Sequence, residues 1–148
     1  MTALHLAGPE DAARLLPMIA AFHENAAPAQ SPEALSAALA PLLEGSPHGV
    51  AYLIGPQRAP IGYILLSFGW SLSLGGLTGH VEEVFIRPGV RGRGIGTEVL
   101  NALPKALADA GLTALHLTTP HHDTALQRFF QRLHFDPQPD QILMTRKS

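Results

Sequence analysis

The sequence predicts one mixed α/β domain, spanning residues 1–148, in which a single sheet carries helices on both faces. Three observations lead there. Apolar runs of strand period and helix period follow one another in the order β-α-α-β-β-β-α-β-α-β. Two of the strand-like runs, "GVAYLI" and "PIGYILLSFG", are joined by the turn-forming "GPQRAP", which reads as a hairpin. One run, "HVEEVFIR", is apolar on both faces and therefore belongs in the middle of the sheet. A chain of 148 residues with 46% hydrophobic content is long enough to bury a real core.

The elements follow in order. "TALHL" is a short first strand ended by Gly8-Pro9. Glu10 to about Phe22 is a helix with Leu15, Leu16, Ile19 and Phe22 on one side, and Pro17 should kink or split it. "ENAAPAQSP" is a loop. Ser31 caps a second helix that opens with Pro32, carries Leu35, Leu39 and Leu42, and stops near Gly45. After the hairpin, "WSLSLGGLT" is a connector to the central strand. From about Gly94 to Asp109 the spacing of Ile95, Val99, Leu103 and Leu107 is helical, with a bend expected at Pro104. "LTALHLTT" is the next strand. Asp123 caps a helix carrying Leu126, Phe129, Phe130 and Leu133, and "QILMTR" is the final strand.

Composition removes several function classes. There is no cysteine, so disulfides, thiolate metal sites, iron–sulfur clusters and cysteine nucleophiles are excluded; this absence fits the cytoplasm. A formal net charge of -2 argues against nucleic acid as a partner. The first residues lack the pattern of a signal peptide, and no apolar run reaches the roughly 18 residues of a membrane span, so no membrane partner is expected. His116, His121 and His122 match no standard metal-ligand spacing, and no metal is expected.

The stretch "VFIRPGVRGRGIGTEVL", Val84 to Leu100, carries the strongest chemical signal. A strand, a glycine-rich turn and a helix together make a phosphate site, because the helix start offers unpaired N–H groups and partial positive charge. Glycines allow close approach and positive φ, and arginines add forked donors. Three of the ten basic residues lie between Arg87 and Arg93. A Walker A loop is a poor match, since Ile95 stands where its lysine belongs. A dinucleotide fingerprint is equally poor, since Thr97 fills its third glycine slot.

The run Ile86-Arg87-Pro88 followed by Arg91-Gly92-Arg93-Gly94-Ile95-Gly96 resembles the acyl-CoA loop of the GNAT superfamily of N-acetyltransferases. The resemblance extends over roughly Ile61 to Phe135: "GHVEEVFI" is similar to the family's fourth strand, and "HHDTALQRFFQRLHF" to its last helix. It implies a mostly antiparallel mixed sheet splayed at strands 4 and 5. It implies that the amides of Arg91, Gly92, Arg93, Gly94, Ile95 and Gly96, with the Thr97 hydroxyl, hold the pyrophosphate of acetyl-CoA as co-substrate. Backbone groups of Val84, Phe85 and Ile86 would pair with the pantetheine arm, and Asp123 stands where the family often has a pantetheine-touching Asn, although its cap role alone accounts for it.

Acetyl transfer to an amine needs a base, and donors for a developing oxyanion. Glu82 and Glu83 are the candidate carboxylates. Strand alternation puts Glu82 with Val84 and Ile86 and Glu83 with Val81 and Phe85, so one faces a substrate cleft and the other faces elsewhere. The resemblance favours Glu82 as base, with Glu83 next; the competing account is a carboxylate pair tied up by neighbouring groups. The family's usual acid is a tyrosine, and Phe130 occupies its position, leaving His134, His122 or solvent to protonate the thiolate. The first two helices and the "WSLSLGGLT" connector would shape the site for the acceptor, a small-molecule amine or a protein amino group; Phe68 and Trp70 either line that pocket or merely pack. The resemblance leaves a homodimer open. It implies an acetyl-CoA-dependent N-acetyltransferase acting by direct attack on the thioester, with a non-catalytic acyl-CoA-binding regulatory module as the alternative.

Overall fold

The computed structural model describes residues 2–25 and 29–148. They fall into two compact units, one running to Leu117 and the other Thr118–Ser148.

The first unit is a five-stranded sheet in the order β1 (Leu4–Leu6), β2 (Gly49–Ile54), β3 (Gly62–Ser71), β4 (Gly76–Ile86), β5 (Ala114–His116). The first four strands are antiparallel neighbours, and β5 runs parallel to β4. β4 is thus an inner strand, as its two apolar faces require.

Two helices, α1 (Ala12–Phe22) and α2 (Pro32–Leu43), cover one face of the sheet. Their Leu15, Met18, Ile19, Leu39 and Leu43 form one buried cluster with Leu53, Tyr63, Leu65 and Phe85. Ile64 and Leu66 point the other way and are also buried, on the side where α3 (Ile95–Ala106) packs on β4 through buried Val99, Leu100 and Leu103. α2 begins as its sequence dictates: the Ser31 hydroxyl accepts from the Ala34 amide at 3.1 Å, and Pro32 opens the first turn. Among the described residues no helix is long and apolar enough to cross a membrane.

Several expectations need correction. Pro17 does not split α1, which is one helix through it, with the proline on its exposed side where water can serve the orphaned carbonyl. Pro104 sits in the last turn of α3, which ends at Ala106 and gives way to a tight turn at Ala108–Ala110 instead of continuing to Asp109. The "WSLSLGGLT" connector is a hairpin: β3 runs to Ser71 and β4 starts at Gly76, with the Ser71 hydroxyl accepting from the Leu74 amide.

The second unit holds α4 (Thr124–Arg132). The Asp123 carboxylate accepts from the Leu126 amide at 3.1 Å and caps its start. Its end is a Schellman turn: the Phe135 amide reaches the Phe130 carbonyl and the His134 amide the Gln131 carbonyl, with His134 at φ 70°. The rings of Phe130 and Phe135 close the same turn edge to face, 5.9 Å apart. The final strand expected at "QILMTR" does not form; Ile142, Leu143 and Met144 are exposed. Apolarity alone does not make a strand, because its backbone needs a partner ladder, and these residues have none among the described residues.

Candidate functional site

The centre of β4 is irregular. Leu65 pairs with Glu83 and Leu66 with Val81, so Glu82 is an extra residue with no partner of its own. This is a β-bulge, which re-aims the bulged side chains. Strict alternation would have sent Glu82 and Glu83 to opposite faces. The bulge instead puts both on the wall of one cavity of about 460 Å³, so the expectation that one carboxylate faces elsewhere fails.

The two carboxylates are held differently. Glu83 Oε1 accepts from the Tyr63 hydroxyl at 2.7 Å, and Glu83 Oε2 lies 2.8 Å from His23 Nε2. A carboxylate only accepts, so this pairing makes Nε2 the donor and leaves Nδ1 of His23 as the ring's second site. Tyr63 is fully buried. Burial, reinforced by its hydrogen bond to Glu83 and by that carboxylate's charge, pushes the Tyr63 phenol far above its ordinary value. Glu82 is exposed and its Oε2 accepts a single bond, from the Ser67 hydroxyl at 2.6 Å. Among the described residues its other oxygen has no protein partner.

Sequence reasoning missed His23, Tyr63 and Ser67. His23 ends α1, sixty residues before Glu83, and no spacing rule links them. The cavity is lined by α1 and α2, as expected, but Phe68 and Trp70 do not line it. Trp70 is 73% exposed on the β3–β4 hairpin.

Downstream of the carboxylates β4 loses one neighbour. β5 pairs only with Thr78, Gly79 and His80, so Val84, Phe85 and Ile86 keep β3 on one side and have no ladder on the other among the described residues. This is the expected splay between strands 4 and 5. Arg87 Nε then donates to the Pro60 carbonyl at 2.9 Å, tying the strand end to the β2–β3 hairpin. Arg91 folds back: its Nε donates to the Ile86 carbonyl at 2.7 Å and its guanidinium lies 5.5 Å from the Phe85 ring centroid. Arg93 is exposed.

Gly92 and Gly94 adopt φ 80° and 76°, and Gly94 is the residue from which α3 starts. Nothing crowds their missing Cβ atoms, so the demand for glycine is purely the left-handed backbone. Among the described residues the N–H groups of Gly92, Arg93, Gly94, Ile95, Gly96 and Thr97 donate to no protein acceptor. A run of bare donors at the positive end of a twelve-residue helix, with the exposed Arg93 among them, fits a diphosphate. Asp123 belongs to the second unit, where its cap bond explains the residue type. Phe130 offers no proton donor. His116, His121 and His122 are exposed, and among the described residues no group of three metal-ligating side chains assembles.

The sequence matches the model of the acetyltransferase (GNAT) family over residues 16–135. Solved structures agree with the fold over nearly the whole chain. An integron cassette protein from the mobile metagenome of Cole Harbour Salt Marsh is 28% identical with a TM-score of 0.81, covering 97% of this chain and 89% of its own. Aminoglycoside N-acetyltransferase AAC(6')-Iy, solved with CoA, is 15% identical with a TM-score of 0.80, covering 99% of this chain and 95% of its own. Ribosomal-protein-alanine N-acetyltransferase from Brucella melitensis biovar Abortus 2308 is 14% identical with a TM-score of 0.78, covering all of both chains. No curated protein matches the sequence.

Proposed function

The chain belongs to the GNAT acetyltransferase family, and on that premise we propose that it moves an acetyl group from acetyl-CoA to a primary amine by direct attack of the amine on the thioester. The observation that carries this reading is the run of unpartnered N–H groups from Gly92 to Thr97 at the start of α3. These amides, with the Thr97 hydroxyl, would hold the pyrophosphate, and Arg93 would add charge; the Arg91 amide, expected among them, instead donates to the Pro88 carbonyl at 3.3 Å and closes the turn before the loop. The bare edge of Val84, Phe85 and Ile86 would take the pantetheine arm as an added strand. Glu82 lies roughly 13 Å back along the strand from Ile86, at about 3.3 Å per residue.

Acetyl-CoA supplies an activated acyl group. The residues of this chain supply position and a proton acceptor. Glu82, held by Ser67 and open on its other oxygen, takes the ammonium proton, directly or through water. The amine nitrogen forms the new C–N bond as the C–S bond breaks and releases its second proton to solvent, and solvent protonates the thiolate, since Phe130 cannot. Glu83, gripped by Tyr63 and His23, serves as the anchored neighbour. The test is paired. CoA, and neither ATP nor NAD, should raise the melting temperature of the protein. Thiol release from acetyl-CoA should then require an added amine. Protection by CoA with no thiol release for any amine would favour the acyl-CoA-binding regulatory module instead.

A further inference from the structure

The cavity beside Glu82 has two unlike ends. One is acidic, built from Glu82 and Glu83 on β4. The other is a stripe of α2, Ala34, Leu35, Ala38, Leu39 and Leu42, one apolar face at helical spacing. The acceptor positions open to a ligand are fewer than the two carboxylates suggest. Both Glu83 oxygens are already engaged, by Tyr63 and His23. That leaves Glu82 as the carboxylate with an open oxygen, and among the described lining residues there is no third carboxylate.

From this we infer that the acceptor is a small primary monoamine, its single ammonium at Glu82 and its uncharged apolar body along α2. The inference rests on the acetyl-transfer reading above and narrows its acceptor. A volume of about 460 Å³ suits a small ligand. An alkyl or aryl body gains from contact with the Leu35 and Ala38 wall. A second ammonium lying there would give up part of its water to methyl groups, with no opposite charge among the described lining residues to replace it. Polyamines and aminoglycosides carry several such charges. A peptide would bring several backbone amides to a cavity where, beyond the carboxylate end, the polar side chains among the described lining residues are Gln30 and His48.

Acetyl-CoA turnover by the full chain at about pH 8, with hexylamine set against 1,6-diaminohexane, isolates the charge at constant chain length. We expect kcat/KM to favour hexylamine by roughly tenfold or more, the lower end of what a mismatched group on an apolar wall produces, since that wall is partly open to water. 2-Phenylethylamine should behave like hexylamine, while spermidine, an aminoglycoside and a short peptide with a free amino terminus should trail. Ala38→Glu places a carboxylate on the exposed, cavity-lining side of α2. It should raise the diamine-to-monoamine ratio of kcat/KM by about tenfold, a gain that damaged folding does not produce. Equal or faster turnover of the diamine, the aminoglycoside or the peptide by the unaltered chain overturns the monoamine assignment and leaves acetyl transfer standing. Absence of thiol release with every amine overturns both.

Discussion

The middle of β4 and the loop that follows it are built on opposite plans. At the bulge, side chains are fixed by other side chains far away in sequence: Glu83 by His23 and Tyr63, and Glu82 by Ser67. In the loop, the useful groups are main-chain amides, fixed by two left-handed glycines and the start of a helix. The contrast teaches that side-chain chemistry and anion holding fail in different ways. Losing a carboxylate should silence one and spare the other. Distorting the backbone should do the reverse.

Glu82→Gln removes the proposed proton acceptor and keeps the shape. Amine acetylation should fall by about 10²–10⁴-fold, with CoA affinity unchanged by titration calorimetry. Equal loss in Glu83→Gln and none in Glu82→Gln would exchange their roles. Gly94→Val attacks the other region. A β-branched residue at φ 76° is strained by roughly 1–2 kcal/mol, and the amides should lose their alignment. CoA should bind on the order of tenfold more weakly, while any turnover at saturating acetyl-CoA keeps its pH profile.

Tyr63→Phe sharpens the account of the bulge. It leaves a Glu83 oxygen without its buried donor and should cost about 1–2 kcal/mol in urea unfolding at neutral pH. Its pH dependence has a definite sign. The Tyr63 phenol is raised in the folded protein, so the stability tied to its protonated form is complete below its unfolded value of about 10 and is lost as pH rises above that. The unaltered chain should therefore lose up to about 1.4 kcal/mol per pH unit more steeply than Tyr63→Phe above pH 10, and the gap between them should close. The smallest effect lies in the second unit. His134 sits at φ 70° in the turn that ends α4, where glycine is at ease. His134→Gly should stabilise by about 1 kcal/mol, read as a higher urea midpoint with an unchanged slope.

The same contrast explains what the sequence revealed. The loop was legible because its determinants are local: Gly92, Gly94 and the helical run from Ile95 each state their geometry within a few residues. Caps were legible for the same reason, as Ser31 and Asp123 illustrate. The carboxylates were legible as residue types, and their shared cavity was not. A bulge has no signature in one sequence, and strict alternation separated Glu82 from Glu83. His23 was invisible because its partner lies sixty residues away. The β3–β4 hairpin reads from sequence as a connector although Gly75-Gly76 marks its turn, because "WSLSL" lacks a clear strand alternation before it. "QILMTR" shows the converse error, apolar residues without a ladder to join.

The short reach of β5 carries a cost beyond any ligand. From Val81 to Ile86 the outer margin of β4 is unladdered among the described residues, and such a margin will template whatever extended chain meets it. If the pantetheine arm is the guest proposed for that margin, other copies of the chain should compete for it when the arm is absent. Light scattering of concentrated protein should accordingly rise with time in plain buffer and stay flat when CoA is added; scattering indifferent to CoA would place the self-association elsewhere. The same unladdered edge that is proposed to take the pantetheine arm is thus, when empty, a seam open to self-association.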